Sequence, residues 1–411
     1  MAYGEHLTKL NPLTDATILN AMRESLPTTV TLLDLGCGRG DRLHFLAEEI
    51  PALQLYGIDA DAENAALAAK CCPEAEICFG DASALPYADG MFDLVLCECS
   101  FSLFSAPEVC AAEIARVLRP GGVLLLGDLY ARCDPYCAEL LAGDGTVKSV
   151  RGRSALEALF TAAQLAVEGF DDFSGDLLQM LGQMLMDGAL CECLGMDALL
   201  RMKTLKTGYG LWRIRKPCCA VVTAAGLSSR MGDFKPLLPF GTVTVAEAAL
   251  ANLRDAGVGE IVVVTGYRAS ELRNALRDAG VVFADNPDFR TTQMYDSLRI
   301  GLAALPSNAQ RVLIQPVDLP AILSETIAAL LRAPGAVARP VCGGRSGHPL
   351  SLDAALIPAL LAYGGADGLR GALAALQIPV TPLMTEDVGT LMDADTKEDY
   401  VNLLKLLELR K

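Results

Sequence analysis

Short apolar runs, each followed by a helical pattern, recur from Thr31 to about Asp128 and begin again at Cys218. That alternation leaves few folds open, because a strand run buried on both faces needs helices above and below it. Two Rossmann-like, three-layer α/β domains are expected, each around a parallel sheet. The length agrees, since 411 residues fit two domains of about 200 each better than one. The stretch "GYGLWRIRKP" reads as a strand stopped by a basic, proline-ended linker, which divides the chain into 1–215 and 216–411. Within the first part, Gly175 to Thr204 is rich in Leu, Met and Ala without a strand signal. It reads as helices inserted before that last strand, with its methionine stripe serving core or lid packing.

Charge and cysteine usage narrow the function classes. The formal charge of −16 is carried mainly by residues 1–215 at −14, against −2 for the rest, so a nucleic-acid partner is not expected. The start, "MAYGEHLTKLNP", has no basic region followed by an apolar one, and no apolar run reaches the roughly 18 residues of a membrane span. A soluble, cytoplasmic protein without a membrane partner is the expectation. None of the fourteen cysteines forms a C-x-x-C pair of the zinc or thioredoxin kind, so they read as reduced, small core residues.

In the front half, "TLLDLGCGRGDRLHFLAEEI" runs from an apolar strand through Gly36, Gly38 and Gly40 into an amphipathic helix. Glycines there allow a sharp turn and a close ligand approach. The next strand, "LQLYGID", ends in Asp59, where a carboxylate would accept from two ribose hydroxyls. A third run places Asp81 and Ala82 at the same rim, and "FDLVLCE" and "RVLRPGGVLLLGDLY" supply two further strands. A dinucleotide site competes as a reading, but the spacing is G-x-G-x-G, a second acid follows at Asp81, and "LRPGGVLLL" has no required place in a dehydrogenase.

Residues 30–130 thus resemble class I S-adenosylmethionine-dependent methyltransferases. The resemblance implies that Gly36, Gly38 and Gly40 pack under the methionine and ribose of S-adenosylmethionine while Asp34 braces their loop. It also implies that Asp59 holds the ribose hydroxyls and that Asp81, with Ala82, sits at the adenine. The acceptor would lie near "CECSFSLFS", where strand alternation puts Cys97 and Cys99 on one face and Glu98 on the other. This part also resembles arsenite-type enzymes that hold their acceptor by cysteines, although plain packing cysteines read more naturally. The methyl acceptor stays unassigned.

In the rear half, "CCAVVTAAGLSSRMGDFKPLLPFG" is not a Walker loop, because Lys235 follows Gly232 by three residues and Pro236 comes next. It offers a strand, a small-residue turn at Ala224, Ala225 and Gly226, and then the cations Arg230 and Lys235. Backbone N–H groups at such a turn can face a nucleotide while the cations lie over its phosphates. The helix in "TQMYDSLRIGLAAL" is entered through Ser297, beneath the nucleotide. "RVLIQPVDLPAI" ends in Asp318, and "LMDADTKEDY" offers Asp393 and Asp395 before a Thr-x-x-Asp helix start. Asp318 and Asp395 suit Mg2+, while Asp393 reads equally as ligand or cap.

Residues 217–402 resemble the nucleotidyltransferases of molybdenum cofactor maturation through that loop, "PVDLP", "GGRSGHPL", "DGLRG" and "DADTKEDY". The family implies a GT-A-like fold, and Thr-Ala-Ala-Gly resembles its cytidylyltransferase branch, so CTP is the implied nucleotide. The implied acceptor is the terminal phosphate of a molybdopterin, held around Arg345, His348 and Arg370, with His348 equally readable as a loop residue. A molybdoenzyme is an implied partner. Two other readings stay open: nucleotidyl transfer to a sugar phosphate or other alcohol, and a non-catalytic maturation chaperone that binds cofactor or metalloid.

Overall fold

The computed structural model describes residues 11–25, 30–133, 137–141, 147–187, 199–227, 231–306 and 309–410. It divides into two compact units, Met1–Lys216 and Pro217–Lys411. In the first, the strands are β1 (Thr31–Leu35), β2 (Gln54–Asp59), β3 (Glu76–Phe79), β4 (Phe92–Glu98), β5 (Leu118–Ala131), the ribbon β6 (Cys137–Leu141) and β7 (Val147–Arg151), then β8 (Ala166–Asp172) and β9 (Thr207–Arg215). Seven of them form one sheet in the order β3-β2-β1-β4-β5-β9-β8. Leu32, Leu94 and Leu96 pack into the core on one face, and Leu33, Val95 and Cys97 into the core on the other.

The sheet is mixed and not parallel throughout, because β9 runs antiparallel to both β5 and β8. An apolar run buried on both faces reads the same in either direction, so strand sense is invisible in the sequence. Trp212 on β9 is buried and meets Tyr130 and Phe170 edge-on or tilted, at centroid distances of 5.7 and 4.9 Å. The Leu- and Met-rich stretch supplies the helix Ser174–Met186, and residues 188–198 of it lie outside the described residues.

The second unit contains β10 (Cys218–Ala224), the short pair β11 (Pro239–Phe240) and β12 (Val243–Thr244), β13 (Glu260–Thr265), β14 (Val282–Asp285), β15 (Arg311–Pro316), β16 (Val337–Cys342), β17 (Arg345–Ser346), β18 (Leu350–Asp353) and β19 (Val380–Met384). Its eight-stranded sheet runs β14-β13-β10-β15-β18-β16-β17, with β19 beside β16. The first four strands of that order are parallel, whereas β18 is antiparallel to β15 and β16. In each unit one central strand, β1 or β10, has the next strand of its own sheet on one side, β2 or β13, and a later strand on the other, β4 or β15. Loops leaving such neighbours part, and a crevice opens beyond their carboxyl ends.

Candidate functional site

In the front unit the crevice is lined by Gly36, Asp59, Gly80, Asp81, Ala82, Ser100 and Phe104, among others, around about 650 Å³. Gly36, Gly38 and Gly40 all have positive φ, at 79°, 54° and 88°. A Cβ on Gly36 would stand 2.3 Å from Ser100 Oγ, and one on Gly40 would stand 2.9 Å from the Ala68 Cα, so only glycine fits either place. Asp59 braces this loop: its Oδ2 accepts the Gly38 N–H at 2.8 Å and its Oδ1 the Asp61 N–H at 2.9 Å. Asp59 thus holds the Gly38 N–H of this loop. Asp34, on β1, is buried. Burial, then Glu98 and Asp59, push its carboxyl up to about 8, against the pull of Arg42. Asp81 lies below its ordinary value, held by the Ser83 hydroxyl and N–H, the latter at 2.7 Å.

The expected pairing of Cys97 and Cys99 on one face is corrected. Cys97 packs with Val95 and Leu126, whereas Cys99 packs with Leu96 and Leu125 in the opposite layer. The cause is a left-handed residue, Cys99 at φ 55°, which ends the alternation one step after β4. Both thiols are buried, and Cys99 Sγ lies 3.2 Å from Tyr209 Oη. Glu98 is taken by Arg42, through Nε to Oε2 at 2.8 Å and Nη2 to Oε1 at 3.0 Å, and by Asn11 at 2.7 Å. Arg42 also pairs with Asp15 on the first helix. Sequence reasoning passed over this latch, since Arg42 reads as an exposed helix cation until the fold brings β4 to it.

In the rear unit the turn Thr223–Gly226 forms one wall of a cleft of about 730 Å³, Thr292, Gln293 and Ser297 another, and Lys235 and Asp318 stand at the same cleft. Lys235 is buried, and its Nζ donates to Asp318 Oδ2 at 3.1 Å and to Asp395 Oδ1. Burial works against the Lys235 charge, yet Asp395 and Asp318 outweigh it and hold the ammonium above its ordinary value. The cation therefore lies on the two carboxylates, at the cleft that the Thr223–Gly226 turn also lines. The backbone explains the meeting: Val317 N–H donates to Thr223 O at 3.1 Å and Ala394 N–H to Asp318 O at 3.0 Å, tying the three segments together. Thr396 caps the helix Lys397–Leu409 in a reciprocal box with Asp399. Asp393 lies above its ordinary value through burial, then through Asp395 and Asp318.

Ser297 is corrected in position. The helix Met294–Ala303 starts after Gln293, so Ser297 lies one turn inside it, and its Oγ accepts from Asn286 Nδ2 at 2.9 Å. Asn286 also donates to Thr292 Oγ1 at 2.9 Å; in the sequence it is only the first half of an Asn-Pro turn. His348 is pushed down by burial and then by Arg339, and it senses the Asp318 charge. Its Nδ1 is buried with no partner among the described residues. Arg370, near the start of the helix Gly368–Ala375, acts electrostatically on Arg339. Arg345 is exposed on β17, opposite Cys342 of β16, and forms no ion pair among the described residues. Arg230 lies outside the described residues. Among those described, no three His, Cys, Asp or Glu side chains converge as a metal cluster, and no helix is long and apolar enough to cross a membrane.

Comparison with known proteins fits this geometry. Residues 33–126 match the methyltransferase domain family and residues 220–380 the MobA-like NTP transferase domain family. The chain is a transferase, with a methyltransferase domain in front and a MobA-like NTP transferase domain behind. The rear half is 26% identical over 184 residues to the molybdenum cofactor cytidylyltransferase of Escherichia coli K12, spanning 44% of this chain and 92% of that one. The front half is 33% identical over 119 residues to the 2-methyl-6-phytyl-1,4-hydroquinone methyltransferase of Synechocystis, 27% of this chain but only 36% of that enzyme's length. Among solved structures, Rv0371c of Mycobacterium tuberculosis H37Rv is 27% identical over 46% of this chain and 98% of its own, with a TM-score of 0.41.

Proposed function

We propose that the protein is bifunctional: the front domain transfers a methyl group from S-adenosylmethionine to a small acceptor, and the rear domain transfers CMP from CTP to the terminal phosphate of a molybdopterin-type cofactor. The observation that carries the reading is Lys235 held between Asp318 and Asp395 at the mouth of the Thr223–Gly226 turn. Two carboxylates converging on one cation suit Mg2+, which takes one or two protein carboxylates and completes its shell with phosphate oxygens and water. Mg2+ on Asp318 and Asp395 would neutralise and align the nucleotide phosphates.

The chain's own groups do the rest. Backbone N–H groups at Ala224, Ala225 and Gly226 hold the nucleotide, and Arg230 and Lys235 counter the charge on its β- and γ-phosphates. The acceptor phosphate, held near Arg345, His348 and Arg370, attacks the α-phosphorus. A new P–O bond forms there, the bond to the β-phosphate breaks, and pyrophosphate leaves. Such chemistry needs alignment and charge neutralisation, and no protein nucleophile. In front, the glycine loop would admit the cofactor, with Asp59 toward its ribose and Asp81 toward its adenine; in support, Gly36, Asp59 and Asp81 line one crevice. The buried Cys97 and Cys99 are read as packing groups, and the methyl acceptor is a small molecule of unassigned class. A cytoplasmic setting and a shared role for both domains in maturing a molybdenum enzyme complete the reading.

The test is to titrate the full chain with CTP, GTP, ATP and UTP in the presence of Mg2+. Preferential CTP binding supports the reading; preference for GTP removes the Thr-Ala-Ala-Gly inference; no binding at all favours a non-catalytic chaperone.

A further inference from the structure

We propose that Lys235 and the divalent cation compete for the same two carboxylates, so that the ammonium keeps the resting site poor in metal and metal enters only together with nucleotide. This rests on the nucleotidyltransferase reading above. Lys235 Nζ donates to Asp318 Oδ2 at 3.1 Å and to Asp395 Oδ1, the same two acids assigned to the cation. With side-chain exposures of 11%, 17% and 23% for Lys235, Asp318 and Asp395, the three share a mostly desolvated space. An ammonium and a dication cannot both occupy it, because like charges at contact distance repel strongly where water screens poorly.

The acids are fixed and the cation is mobile. Asp318 and Asp395 belong to segments tied through the Ala394 N–H to Asp318 O bond at 3.0 Å, and the Thr396–Asp399 box holds the chain just beyond. Lys235 reaches them on a flexible four-carbon stem. Displaced alone, the ammonium would lose both partners at once. A nucleotide seated against Thr223–Gly226 supplies phosphate oxygens in the cleft that Lys235 already lines. The lysine then trades carboxylates for phosphates as the metal takes its place. By linkage, nucleotide strengthens metal binding by the factor by which metal strengthens nucleotide binding.

The experiment measures Mn2+ binding to the full chain by calorimetry, with and without CTP. Without CTP, Lys235→Met is expected to bind Mn2+ about tenfold or more tighter than the parent chain. Lys235→Arg, which keeps a cation, should stay as weak as the parent, and adding Asp318→Asn to Lys235→Met should abolish the gain. If Lys235→Met binds Mn2+ no more tightly while Asp318→Asn weakens Mn2+ binding in the presence of CTP, the exchange is wrong and the metal site stands. If Asp318→Asn leaves Mn2+ binding unchanged with CTP present, the metal site itself is wrong and the exchange falls with it. Far-UV circular dichroism on each variant separates these outcomes from unfolding.

Discussion

Asp34 and Lys235 are buried titratable side chains, one in each unit. The Asp34 carboxyl is pushed from 3.8 to about 8 by burial, Glu98 and Asp59. Since this folded-state value lies above the unfolded one, the folded chain holds an extra proton between those two values. The contribution of this group to the stability of the front unit should therefore be greatest below about pH 4 and fall as pH rises to about 8, by up to about 1.4 kcal/mol per pH unit. Asp34→Asn should remove that slope, which urea titrations at pH 5 and pH 8 would show; an unchanged slope would mean that Asp34 titrates normally. For Lys235→Ala, kcat for nucleotidyl transfer should drop by roughly 10²-fold or more, with the unfolding midpoint little changed. Turnover equal to that of the parent chain would take Lys235 out of the mechanism.

At the scale of elements, short connections aim the site. Thr396→Ala should cost about 1 kcal/mol by opening the reciprocal cap. Because Asp395 precedes that cap, the loss in kcat should exceed what the stability change explains, and comparing melting with kinetics would decide it. Gly36→Ala should weaken S-adenosylmethionine binding and destabilise by roughly 1–3 kcal/mol, since the new methyl would overlap Ser100. Paired calorimetric and melting measurements check both effects. The elements also mark where the sequence stops being informative. Strand and helix alternation, the glycine turn after β1 and the small-residue turn after β10 follow from local pattern, and Ala224, Ala225, Gly226, Lys235 and Asp318 do line one cleft. Features set by long-range contact were not legible: the antiparallel sense of β9 and β18, the left-handed Cys99 that separates it from Cys97, and the Arg42–Glu98 latch. Each depends on a partner far away in sequence.

Among the described residues, the buried clusters of residues 13–214 share no residue with those from Cys218 onward. The single tryptophan, Trp212, is buried in the front unit, so its fluorescence reports that unit alone. S-adenosylmethionine at about 100 times its Kd should stabilise the Trp212 transition by about 2.7 kcal/mol, while CTP with Mg2+ should leave it in place. A Trp212 transition moved by CTP would show that the two units fold and bind as one.

Under the function proposed above, the rear domain makes a phosphoanhydride between CMP and a molybdopterin. The most direct measurement incubates the full chain with Mg2+, molybdopterin and CTP labelled at the α-phosphate, and follows the label. Label is expected to move from CTP into the pterin fraction with one pyrophosphate released per transfer, and Asp318→Asn is expected to abolish the movement. Label retained in CTP, or released as free CMP with none in the pterin, would contradict the proposed function.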